Sequence, residues 1–116
     1  MALTFQNVLD AINANYDFYP TAFGVTKEAP NPAGQNEGAC RVLAFAKDQN
    51  LDKETALKLF AEHYQNVLDD PAGDNHQNIR LLMRHGLGEA WFDETALARK
   101  PTYDGDAISK LIALAK

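Results

Sequence analysis

Residues 38–49 read GACRVLAFAKDQ, and from Ala39 to Ala46 only Arg41 is polar. A helix that is apolar nearly all the way round has to lie in the middle of a fold. The segments on either side supply its partners. KETALKLFAEHYQNVL, residues 53–68, places Leu57, Phe60, Ala61, Tyr64, Val67 and Leu68 on one helical stripe, with Asp52 as N-cap and Glu54 and Lys58 on the wet face. Upstream, about residues 4–14, Phe5, Val8, Leu9 and Ile12 repeat at helical spacing behind Thr4, a suitable N-cap, with Leu3 placed to staple against Val8. Downstream, NHQNIRLLMRHG at 75–86 has Ile79, Leu82 and Met83 as its core face. Gly86 stands where a left-handed terminating residue belongs. A last helix, about 105–115, uses Ile108, Leu111, Ile112 and Ala115.

The remaining long stretch, residues 15–37, has no helical period and holds three prolines and two glycines. Tyr16, Phe18, Tyr19 and Phe23 are too apolar to stay in water cheaply, so the loop is expected to pack on the helices that follow. TAFGVT at 21–26 and LGEAWFD at 87–93 are candidates for a short two-stranded pairing. The fold class is therefore mainly α: one compact domain of four to five helices, spanning residues 1–116, with a long packed loop.

Composition narrows the function classes. Hydrophobic residues make up 46% of the chain, enough for a real core. The net charge of −5, with Lys and Arg scattered, argues against a nucleic-acid or anionic-membrane partner, since both need a basic face. Cys40 is the sole cysteine, which rules out an intramolecular disulfide and cysteine-rich zinc patterns. The first eighteen residues lack the basic start and continuous apolar run of a secretory signal. The expected location is cytoplasmic, with export by a route that needs no cleavable signal left open.

Two phrases are nearly repeated. NPAGQNEG at 31–38 and DPAGDNHQ at 70–77 each join Pro-Ala-Gly to a polar helix start. Pro fixes one turn angle and Gly takes the conformation other residues avoid. Asn36 is then expected to cap the second helix, and Asp74 or Asn75 the fourth, with Asp74 and Gln77 forming a capping box. A helix-pair duplication would put Arg41 on Arg80 and Leu43 on Leu82. Convergent turn chemistry explains the likeness as well, and the divergence of the flanking segments favours it.

The segments FYPTAF, NPAGQNEGACRVLAFAK, LFAEHYQNVL, DPAGDNHQNIR and MRHG, in that order, resemble the HopJ type III effector family over about Tyr16 to Phe92. The residues that match its motifs are Asn36, Glu37, Gly38, His63, Tyr64, Asp74, His76, Asn78, Ile79 and Arg80. The resemblance implies a bacterial protein, related to effectors that plant pathogens inject into host cells and exported by a type III system. It implies no particular reaction.

The candidate pocket residues are Glu37, His63, Asp74, His76 and Arg80. His63 lies inside an apolar helical arc. It is either a buried ring tied to a carbonyl or carboxylate, or a base or ligand facing a pocket. His76 and Arg80 stand four apart at a helix start behind Asp70 and Asp74, which reads as capping plus an Arg80 salt bridge, or as part of a His/carboxylate metal site. The ligand spacing matches no zinc or calcium pattern, so no metal and no cofactor are expected. The backbone N–H groups around Asn36-Glu37-Gly38 suit an anion, but Glu37 brings its own negative charge to the same place. Cys40 reads as core. Together these point to a HopJ-type effector-like protein that acts by binding a protein or small molecule. The alternative is a small enzyme or metal-binding protein built on the five candidates. Packing should bring Glu37, His63 and His76 into one neighbourhood.

Overall fold

Helix α2, Glu37–Asp48, buries Cys40, Val42, Leu43, Ala44, Phe45 and Ala46, as its nearly unbroken apolar surface requires. The computed structural model describes residues 3–116. Around α2 stand α1 (Phe5–Asn15), α3 (Lys53–Lys58), α4 (Glu62–Asp69), α5 (Gln77–His85) and α6 (Gly105–Leu114). With α2 these make six helices among the described residues. The Cα radius of gyration is 13.3 Å, that of a compact globule of this length.

Two small antiparallel sheets complete the fold. β2 (Phe23–Gly24) pairs with β3 (Trp91–Phe92), the pairing expected of TAFGVT and LGEAWFD. Gly24 is obligatory there, because a Cβ would come within 2.9 Å of Trp91 Nε1, which donates to the Thr26 carbonyl. β1 (Tyr16–Phe18) pairs with β4 (Leu97–Arg99), a match the sequence pattern did not announce. The β1 side is clamped by side chains. Tyr16 Oη donates to Asp48 Oδ2 at 2.6 Å, and Asp48 pairs with Arg99 at 3.0 Å.

The loop aromatics divide. Tyr16 and Phe23 are buried, Tyr16 edge-on to Phe45 and Phe23 stacked on Phe92. Phe18 is half-buried under the Arg41 guanidinium. Tyr19 departs from expectation and stays in solvent, as does Leu68, which the helical stripe had placed in the core.

The long third helix of the sequence reading is two helices. After Lys58 the chain tightens into turns that bond Phe60 N–H to the Leu57 carbonyl and Ala61 N–H to the Lys58 carbonyl. Ala61 then takes φ 52°, ψ −121°, and α4 starts from it. Neither Pro nor Gly marks this break. On a straight helix Leu59 and Phe60 would face about 100° apart. With the break both are sealed in the core, at 0% and 2% exposure.

Candidate functional site

Three helix starts are built against local preference. α2 begins at Asn36 (φ 53°, ψ 43°), α5 at His76 (φ 52°, ψ 50°) and α4 at Ala61, and none has a side-chain cap hydrogen bond. Asn36 is the expected cap by position only. Its side chain turns away to donate to Asn31 Oδ1 at 2.8 Å. The expected capping box of Asp74 and Gln77 does not form: His76 occupies the cap position, and Gln77 Nε2 donates to the Asp74 carbonyl. Positive φ in a residue with a Cβ costs on the order of 1–3 kcal/mol and persists only where the surroundings enforce it.

The enforcement is visible. Asn31, the first residue of the first repeated phrase, is buried and exchanges two amide hydrogen bonds with Asn78 of α5, at 3.0 and 3.1 Å. The same Asn31 accepts from Asn36. One buried amide thus fixes the starts of α2 and α5 against each other. Arg80, also buried, knots the second phrase. Its guanidinium donates to the carbonyls of Asp70, Pro71 and Asn75 and to the Asn75 side chain. Main-chain carbonyls therefore take the place of the carboxylate partner foreseen for Arg80. The two phrases also start their helices one residue out of step, at Asn36 and His76 rather than Asn36 and Asn75. Arg41 and Arg80 also do different jobs: Arg41 donates to Asn13 Oδ1 and covers Phe18, whereas Arg80 binds its own turn.

Between these starts lies a cleft of about 450 Å³. α1 contributes Phe5, and the start of α2 contributes Asn36, Gly38 and Ala39. The α3–α4 break contributes Phe60 and His63, and the start of α5 His76, Gln77, Asn78 and Ile79. Phe5 stacks on Phe60 at 6.0 Å and meets His63 edge-on at 4.7 Å. Gly38 permits that approach, since a Cβ there would sit 3.0 Å from two Phe5 ring carbons. Glu62 fixes α4 beside α1 by accepting from the Phe5 N–H at 2.8 Å, and this bond holds its carboxyl below the usual range.

The two imidazoles face each other at 5.0 Å between centroids. Nδ1 of His63 is shut off from water and has no hydrogen-bond partner, an uncommon state for a buried polar atom. Burial, then the neighbouring His63 and Arg80, lower the pKa of His76, which favours its neutral ring.

Of the five candidates, His63 and His76 share the cleft. Glu37 is half-buried on the first turn of α2 and is not among the lining residues, although its neighbours Asn36 and Gly38 are. Asp74 is exposed, and Arg80 lines a separate groove with Leu68 and Met83. Phe5, Phe60, Asn78 and Gln77 were not foreseen as lining residues. Asn31 in particular gave no signal beyond starting a turn. Among the described residues no three His, Cys, Asp or Glu side chains gather as a metal site would require. Cys40 is core, its thiol pushed up to about 11 by burial. A wider hollow of about 720 Å³ between the α2–α3 turn and α6 is lined by exposed side chains of both charges, such as Glu54, Lys58 and Lys116. It holds no group in the condition of His63.

Fold and site define a class: a small, mainly α domain with short β pairings, in which uncapped helix starts enclose a two-histidine cleft. The chain belongs to the HopJ family. The family model described as HopJ type III effector protein matches residues 1–97, which includes α1 as well as the segments that carried the resemblance. A solved crystal structure of a protein of unknown function, VPA0580, is similar, with 37% identity and a TM-score of 0.80 over 84% of this chain and 82% of that one. No curated protein matches the chain.

Proposed function

We propose that this protein works by binding a small molecule in the cleft between the starts of α2 and α5. The observation that carries the reading is the convergence of His63 and His76 on one cleft, with His63 Nδ1 buried and unpartnered. A cleft of this volume is of ligand size. Docking of a protein through an apolar face has less support. The large exposed apolar side chains among the described residues are Tyr19 in the loop after β1, Leu68 on α4 and Leu114 on α6, three separate segments of the chain. An enzyme built on all five candidates is also less favoured, because Asp74 and Arg80 lie outside the cleft.

A fragment screen read by the imidazole NMR signals of His63 and His76 tests this. Fragments are expected to shift both signals, and Ala39→Trp, which fills the cleft, is expected to abolish the shifts. Absence of any fragment that moves them, or hits that survive Ala39→Trp, would overturn the reading. The family description extends the proposal to export by a type III system. Release of a reporter fused to residues 1–116 by a type III-competent strain, and its loss in a secretion-deficient strain, is the expected result.

A further inference from the structure

We propose that the groove between α4 and α5 docks a second copy of this chain, related by a two-fold axis, with Arg84 of one copy facing the Asp69–Asp70 pair of the other. The surface is separate from the ligand cleft. The two share no lining residue, and the pairing does not depend on a ligand.

The groove has a volume of about 440 Å³ and takes Val67 and Leu68 from α4, Pro71 from the turn, and Arg80, Met83 and Arg84 from α5. Leu68 is 45% exposed, although the helical stripe assigns it to a core. A leucine left this open beside a groove gains from being covered.

Charge decides the occupant. Asp69, Asp70 and Asp74 are exposed at the turn end of the face. Arg84 is exposed in the last turn of α5, about 10 Å along the helix from its start. Among the described residues the one ion pair joins Asp48 to Arg99, so none of these four charges is paired within the chain. Asp69 bonds the Gln65 amide. Arg80 adds a buried positive charge that meets carbonyls and an amide oxygen rather than a carboxylate.

An acidic partner would run into the aspartates and a basic one into the arginines, and like charges set against each other at an interface are costly. A face with opposite signs at its two ends is complementary to itself. A two-fold rotation lays each end on the other and brings Leu68 of each copy to the groove of its mate. Helices of 8 and 9 residues offer a small face, so the pair is expected to be weak, half-associated on the order of 10–100 µM.

Sedimentation equilibrium on the full chain, up to about 1 mM, tests this against three variants checked for folding by circular dichroism. The unaltered chain is expected to pass from monomer to dimer, and Leu68→Asp to stay monomeric. Arg84→Asp and Asp69→Arg, each alone, are expected to weaken the dimer about tenfold, the scale of one lost charge pair. Mixed in equal amounts, these two variants are expected to associate as the unaltered chain does, because each then meets the opposite charge at both contacts. A chain that stays monomeric throughout would overturn the proposal and leave the groove to another occupant. A dimer indifferent to Leu68→Asp would place the contact elsewhere. A mixture no tighter than its components would refute the two-fold pairing of Arg84 with the aspartates.

Discussion

The six helices start in two ways. α1, α3 and α6 begin on Thr4, Asp52 and Asp104, in extended or near-extended backbone, and each side chain accepts from a first-turn N–H. α2, α4 and α5 begin on Asn36, Ala61 and His76, at φ 52–53°, with no side-chain cap. The first set follows local chemistry, and its one member at the cleft, α1, brings only the apolar ring of Phe5. The second set is strained and under-satisfied, and its members deliver the cleft's polar groups. Local preferences were overridden where a pocket was assembled, and buried side chains hold the strain in place.

Phe60→Ala should break this contrast most severely. Phe60 is 2% exposed, lies just before the Ala61 kink and stacks on Phe5. Its loss is expected to cost about 3–5 kcal/mol in chemical denaturation and to separate the His63 and His76 rings, seen as loss of their mutual NOEs. A cost under about 1 kcal/mol would mean that Phe60 does not hold the kink.

The two kinds of start should respond oppositely to simple substitutions. Asp104→Ala removes a cap that serves the Asp106 and Ala107 N–H groups, and is expected to cost about 1 kcal/mol. Ala61→Gly relieves a positive φ at a cost of about 0.5–1 kcal/mol in unfolded-chain entropy. It is expected to leave stability level or to raise it by about 1 kcal/mol. Equal losses in both variants, measured by urea midpoints, would erase the distinction.

The smallest effect concerns pH. The folded pKa of His76 is lowered, so below the ordinary value near 6.5 the unfolded chain binds the proton more readily than the folded one. The stability this residue contributes is complete above about pH 6.5 and declines as pH falls through 6.5 towards the folded pKa. Imidazole titration should place His76 below the ordinary histidine value near 6.5, and His76→Gln should flatten that part of the stability profile. A His76 titration at or above about 6.5 would remove the electrostatic side of the contrast.

Much of the fold was legible before any coordinates. The apolar run Ala39–Ala46 marked α2 as central, the caps Thr4 and Asp52 stand where short polar residues precede apolar periods, and TAFGVT found its partner in WF. The Ala61 break was not legible because its residues are ordinary helix formers, and what bends the chain is the joint burial of Leu59 and Phe60. The β1–β4 pairing spans some eighty residues and leaves no local mark. Among the candidates, the histidines stood out because a polar ring in an apolar arc needs a reason. Arg80 stood out equally, yet its guanidinium is consumed by the carbonyls of its own turn.

The sequence by itself determined that this chain is a mainly α domain of the HopJ family, which helix is innermost, and which residues open α1 and α3. Those outcomes rest on periodicity and on contacts between residues a few positions apart. Only the tertiary structure decided that His63 meets His76, that Asn31 locks the starts of α2 and α5 together, and that the helix beginning at Lys53 breaks at Ala61. Each of these depends on groups distant in the chain whose burial outweighs a local conformational cost, and local sequence carries no record of that balance.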